Sequence, residues 1–115
     1  FGEHYKYFQL PRELDVVNTA WLAFPIMIRE NAGFSRREFQ IFLENQNIQT
    51  MVVFTGNINR QPGFKDINKT VRLGGYPNAD YIMEYGVLLP LHHGMSEEMF
   101  EKLHYEIRSF LEGKR

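Results

Sequence analysis

Phe34-Ser35-Arg36-Arg37-Glu38-Phe39-Gln40-Ile41-Phe42-Leu43 is the stretch on which the reading of the fold turns. Ser35 is a good N-cap, and Glu38 three residues later completes a capping box. Phe34 before the cap and Phe39 inside the helix form a hydrophobic staple. Phe39, Phe42 and Leu43 lie on one apolar stripe, which a core must cover. The pattern predicts a helix from about Arg36 to Asn45, closed by Asn45-Gln46-Asn47.

Strand signals flank this helix. Ala20 to Ile28 is nearly continuously apolar, as in a strand buried on both faces, while Pro25 argues for an edge or a bulge. Ile48 to Phe54, rich in Val and Phe, reads as a second strand. Residues 9 to 18 read as an extended lead-in, with Pro11 blocking a helix. Further on, Pro77-Asn78-Ala79-Asp80 predicts a helix start with Asn78 as cap, carrying Tyr81, Ile82 and Tyr85 and ending at Gly86. Val87 to Leu91 predicts a third strand. A last helix, about Glu97 to Glu112, is capped by Ser96 and Gly113, with Met99, Phe100, Leu103, Ile107, Phe110 and Leu111 as its buried stripe.

The expected class is α+β: a small, mostly antiparallel sheet with helices on one face. Its other face and the aromatic start, Phe1 to Phe8, lack cover of their own and are expected to meet a partner domain or subunit. The 115 residues suffice for one core. A start rich in aromatics and without an initiator Met suggests a piece of something longer.

Composition narrows the function classes. A net charge of -1 provides no field favouring nucleic acid or an anionic membrane. The chain has no cysteine, which excludes disulfides and thiolate metal sites. No apolar run reaches transmembrane length. Gly-x-Ser-x-Gly, a glycine-rich phosphate loop with lysine, and His-Glu-x-x-His are all missing, so no self-sufficient catalytic site is expected.

What remains is the polar segment from Thr55 to about Gly75. A compact domain rarely carries so long an irregular loop unless the loop binds something or is disordered. Within it, Thr55-Gly56-Asn57-Ile58-Asn59-Arg60-Gln61-Pro62 combines fixed and permissive backbone with amides and one guanidinium, groups suited to an anionic, hydroxyl-rich ligand. Arg60 can grip a phosphate or carboxylate by two parallel hydrogen bonds, and Asn59 and Gln61 can meet sugar hydroxyls. His92-His93, after the third strand, suits acid–base work or ligand contact. As a metal pair it is weak, since adjacent side chains diverge and no third ligand is near. The commoner reading is one histidine bonded to backbone in a turn and the other exposed. His104, beside the last helix's stripe, reads as structural.

Taken together, Phe8-Gln9-Leu10-Pro11, Phe24-Pro25, Phe34-Ser35-Arg36-Arg37-Glu38, Gly56 to Pro62, Pro77-Asn78-Ala79-Asp80, and Leu89-Pro90-Leu91-His92-His93-Gly94-Met95-Ser96-Glu97-Glu98 resemble the C-terminal domain of DegT-type nucleotide-sugar aminotransferases. These are pyridoxal-phosphate enzymes of the aspartate-aminotransferase fold. The Gly-Asn-x-x-Arg-Gln-Pro form of the loop looks most like the branch of 3-dehydratases acting on CDP- or GDP-linked 4-keto-6-deoxyhexoses for lipopolysaccharide sugars.

The resemblance implies that residues 1–18 are an interdomain lead-in and 19–115 the small C-terminal domain. The pyridoxal or pyridoxamine phosphate is then held mainly by the protein's own N-terminal large domain. It implies substrate contacts from Asn57, Arg60 and Gln61, a place for His92 at the cleft rim, a homodimer, and a bacterial cytoplasm. The isolated chain is expected to be inactive. A DegT-type sugar aminotransferase is the close second, and a non-catalytic ligand-binding module the third. A nucleic-acid binder using Arg60, Lys65, Lys69, Arg72 and Phe64 ranks last, because Asp66 interrupts its basic run.

Overall fold

The structure, a computed structural model, describes residues 4–114; Phe1 and Arg115 lie outside the described residues. Four strands form one sheet in the order β1-β2-β4-β3: β1 is Phe8–Gln9, β2 Phe24–Ile28, β3 Met51–Val52 and β4 Gly86–Leu89. All three pairings are antiparallel. The helices are α1 (Arg36–Asn45), α2 (Pro77–Tyr85) and α3 (Glu97–Glu112). The α+β class with an antiparallel sheet is the architecture expected from sequence.

Register explains the burial. Directly opposed residues share a sheet face, and the pairs Phe8↔Ile28, Ile26↔Val87 and Phe24↔Leu89 define the face that carries the core. Against it lie Phe39 and Leu43 of α1 and Leu103, Ile107, Phe110 and Leu111 of α3. Phe110 is the hub, with its ring centroid 4.9 Å from Phe34, 5.3 Å from Phe39 and 5.2 Å from Phe42. Such edge-on and tilted pairs add to the area they bury.

The start of α1 is as its sequence predicts. Ser35 Oγ accepts from the Glu38 N–H, and Glu38 accepts from the Ser35 N–H at 2.8 Å. Glu38 also accepts from Lys114 Nζ at 2.9 Å, joining the start of α1 to the end of α3. The Lys114 hydrogen bond first, and then the Ser35 cap, lower the Glu38 pKa from 4.5 to about 2.

The short α2 borders the opposite face. Tyr81 and Ile82 line one depression with Pro25 and Met27, which alternate with the core-facing Ile26 and Ile28. That face therefore has partial cover from within the chain. Gly86 makes this close approach possible: a Cβ there would sit 2.5 Å from the Ile82 carbonyl oxygen and 2.8 Å from Val53 Cγ2.

Several sequence expectations need correction. Phe8–Gln9 is a strand, and Phe8 is fully buried, so the sheet begins within the stretch expected as a lead-in. The strand expected over Ala20–Ile28 starts only at Phe24, because Phe24 pairs with Leu89 and the next residue, Pro90, has no N–H to extend the ladder. Pro25 is tolerated because β1 reaches only as far as Met27, leaving its side of β2 open. The strand expected over Ile48–Phe54 shrinks to two residues, cut short where the Phe54 N–H turns back to the Val52 carbonyl at 2.8 Å. Tyr76, not Asn78, is the N-cap of α2, since Pro77 takes the first helical position, where a missing N–H costs nothing. Met99 and Phe100 are exposed on the first turns of α3 rather than buried.

Candidate functional site

The Thr55–Gly75 segment is less irregular than expected. Ile58–Arg60 and Pro62–Phe64 form two short 3-10 turns. Asn57 Oδ1 accepts from the Asn59 N–H at 3.1 Å, capping the first turn, and its side chain is nearly buried at 5% exposure. Proline starts the second turn.

This loop sits on α2. Gly56 has φ +59, and a Cβ there would fall 2.3 Å from Met83 Cβ, so only glycine lets the backbone lie against the helix. Gln61 Nε2 donates to the Thr55 carbonyl at 2.9 Å and closes the loop on itself. Arg36 Nη1 donates to the Met83 carbonyl at 2.5 Å, tying α2 to α1. The loop thus has a fixed platform beneath it.

The polar centre of the platform is Asp80. Arg60 Nε and Nη2 each donate to one of its oxygens at 3.0 Å, a two-pronged pair. Asn57 Nδ2 donates to Asp80 Oδ1 at 2.7 Å. The Arg60 hydrogen bond first, then that of Asn57, lower the Asp80 pKa; the same pair raises that of Arg60. The Arg60 side chain is 63% exposed and that of Asp80 32%. Nη1 of Arg60 has no hydrogen-bond partner among the described residues. The depression beside it is bounded by Glu30, Asp80 and Glu84 as well as Arg60, so its local charge balance is acidic. There the Tyr85 phenol is pushed up by burial first and then by Glu30 and Glu84.

Two of the four residues singled out from sequence, Asn57 and Arg60, therefore meet at Asp80, with Gln61 bracing the same loop. His92 is elsewhere. β4 begins at Gly86 beside α2 and runs away from it, so His92 lies off the strand's far end. It is exposed, and its Nδ1 accepts from the Gly94 N–H at 3.1 Å, a turn contact. Near that end, Trp21, Phe24, Leu89, Pro90, Leu91 and Phe100 line an apolar cavity of about 470 Å³.

Asp80 is the residue that sequence reasoning missed. It was legible only as an acid in the first turn of a helix, and its partner lies 20 residues back.

Among the described residues no cluster of three or more His, Asp or Glu could hold a metal ion. Lys69 donates to the Phe64 carbonyl, Lys114 is paired with Glu38, and Lys6 stacks on Tyr7. No helix among the described residues is long and apolar enough to cross a membrane.

Comparison with known proteins gives the frame. Residues 3–108 match the DegT/DnrJ/EryC1/StrS aminotransferase family. The chain is 31% identical over 107 residues to the lipopolysaccharide biosynthesis protein RfbH of Salmonella typhimurium, covering 93% of this chain and 24% of that protein. It is 29% identical over 92 residues to the dTDP-4-dehydro-2,6-dideoxy-D-glucose 3-dehydratase of Saccharopolyspora spinosa, covering 80% of this chain and 20% of that enzyme. The chain thus spans about a quarter or less of the length of these curated relatives. A crystal structure of a DegT DnrJ EryC1 StrS aminotransferase from Brucella abortus superposes with a TM-score of 0.77 at 20% identity, over 95% of this chain and 27% of that one, a likeness of fold.

Proposed function

We propose a function from one premise: the chain belongs to the DegT/DnrJ/EryC1/StrS aminotransferase family. It is the small C-terminal domain of an enzyme that removes the 3-hydroxyl from a nucleotide-linked 4-keto-6-deoxyhexose, in deoxysugar or lipopolysaccharide synthesis. The domain closes the active site, and its Gly56–Pro62 loop contacts the nucleotide sugar through Asn57, Arg60 and Gln61. A pyridoxal or pyridoxamine phosphate, held by a large N-terminal domain outside these residues, supplies the electron sink for the bond cleavage. The lead-in before residue 19 connects the two domains, and the working unit is a cytoplasmic homodimer. The isolated chain orients and does not turn over substrate.

The observation that carries this reading is the seating of the loop. Asn57, Asp80 and Gly56 hold it on α2 while leaving part of the Arg60 guanidinium without a partner among the described residues. A loop that served only as a connection would not need a buried asparagine and an obligatory glycine to hold an arginine at the surface. The dehydratase is favoured over the aminotransferase because one of the two curated relatives is a sugar 3-dehydratase and the other a lipopolysaccharide biosynthesis protein.

The test is Arg60→Ala in the protein that carries this chain together with its large domain. Turnover of 4-keto-6-deoxyhexoses linked to GDP, CDP or dTDP is followed with the cofactor absorbance recorded alongside. An expected loss of about tenfold or more in kcat/KM with unchanged absorbance supports the contact. Unchanged turnover removes the site assignment. Mass spectrometry of the product separates the two chemistries: loss of the 3-hydroxyl oxygen marks the dehydratase, gain of nitrogen on the sugar the aminotransferase.

A further inference from the structure

Asp80 touches both Asn57 and Arg60 of the loop, and from sequence it reads only as part of a helix start. Two Arg60 donors, Nε and Nη2, are already committed to it at 3.0 Å. The two-pronged grip on a ligand phosphate that a lone guanidinium offers is therefore taken on that edge. Asn57 holds Asp80 from the other side at 2.7 Å and is itself fixed by its bond to the Asn59 N–H. Asp80 stands on a helix whose Met83 supports Gly56 and is tied through its carbonyl to Arg36. Everything behind the carboxylate is anchored, and the Arg60 side chain in front of it is 63% exposed.

We propose that Asp80 is a positioning residue, which holds Arg60 by its Nε–Nη2 edge and leaves the Nη1 side to donate to one acceptor oxygen of the nucleotide sugar. This rests on the functional reading above and deepens it. Two physical consequences follow. A long, exposed arginine samples many rotamers, and the fork holds it to one, so less freedom is lost when the ligand arrives. The carboxylate also offsets most of the guanidinium charge. What meets the ligand is a directional donor rather than a net positive centre, a suitable match for a depression already bounded by Glu30 and Glu84. Removing the Asp80 charge should weaken directional binding while making whatever binding remains more dependent on salt.

The experiment is a double-mutant cycle in the full-length enzyme: wild type, Arg60→Ala, Asp80→Asn and the pair. Steady-state kinetics use the keto-sugar nucleotide that the wild type turns over, at low and high salt, with the melting temperature of each variant. The expected result is a fall in kcat/KM of about tenfold for Asp80→Asn, carried mainly by KM, with a steeper salt dependence. In the Arg60→Ala background the same change should cost less than about twofold, because the two side chains act as one unit. If Asp80→Asn yields no folded enzyme, Asp80→Glu takes its place in the cycle. Independent, multiplying effects overturn the proposal while leaving the loop's contact with substrate intact. So does a lowered melting temperature with KM and salt dependence unchanged. No effect of Arg60→Ala itself overturns the substrate reading and this inference with it.

Discussion

Phe39 and Phe54 are the same residue type in opposite circumstances. Phe39 is fully buried, with the rings of Phe8, Phe34 and Phe110 at centroid distances of 5.3, 6.0 and 5.3 Å. Phe54 is 81% exposed and sits in the left-handed backbone region, at φ +48, which a bulky side chain rarely adopts. The first belongs to the half of the molecule built from the core face of the sheet, α1 and α3, where apolar burial sets the structure. The second opens the half built from the 53–76 segment and α2, where polar ties and a glycine fit hold the chain and large apolar side chains such as Val71 and Leu73 remain in solvent. One half packs Phe8, Phe34, Phe39 and Phe110 together for its own stability. The other keeps Phe54, and its only exposed fork-paired guanidinium among the described residues, on the surface.

The comparison can be broken by substitution, beginning where the effect should be largest. Phe39→Ala removes the centre of the aromatic cluster and should destabilise the domain by about 3–5 kcal/mol, read by denaturant unfolding. A loss under about 1 kcal/mol would mean that the core is not built around this ring. Gly56→Ala, which forces a Cβ into Met83 at a positive φ, should cost about 2 kcal/mol and speed hydrogen exchange across residues 56–61, with α1 and α3 unaffected. Faster exchange throughout would mean that the two halves do not separate.

Acid sharpens the contrast within the packed half. Glu38 titrates at about 2 in the folded chain against an ordinary 4.5, so its contribution is complete above the ordinary value and is lost as pH falls from 4.5 towards 2. The melting temperature of the wild type should therefore drop across that window by more than that of Glu38→Gln. Parallel curves would remove the Lys114–Glu38 tie from the account. The smallest effect is expected at the exposed ring. Phe54→Asn, a residue that tolerates left-handed backbone, should leave stability unchanged or raise it by about 0.5 kcal/mol. A loss comparable to that of Phe39→Ala would show the ring to be packed after all.

The same division governs what the sequence could disclose. The capping box of Ser35 and Glu38 and the staple of Phe34 and Phe39 were legible because their partners lie within five residues, and local chemistry decides them. The lower stripe Leu103, Ile107 and Phe110 was legible because its period is that of a helix. Met99 and Phe100 share that period and still point to solvent, because periodicity reports a face and not how far the sheet beneath it extends. β1 escaped notice because two residues carry no period; only the pairing of Phe8 with Ile28 makes them a strand. The loop's content was legible from Gly56, Asn57, Arg60 and Gln61. Its organisation was not, since it hangs on Asp80, 20 residues from Arg60 and 23 from Asn57, and such pairings are set by the tertiary fold. His92, which the resemblance sets at the cleft rim, lies off the far end of β4.

The most direct test of the central claim is hydrogen exchange of the full-length enzyme with and without its nucleotide sugar, read peptide by peptide. The account predicts slowed exchange at residues 56–61 and 77–83, with residues 36–45 and 103–111 unchanged. Slowing confined to residues 92–104, or absent from 56–61, would contradict it and move the ligand away from the Arg60–Asp80 platform.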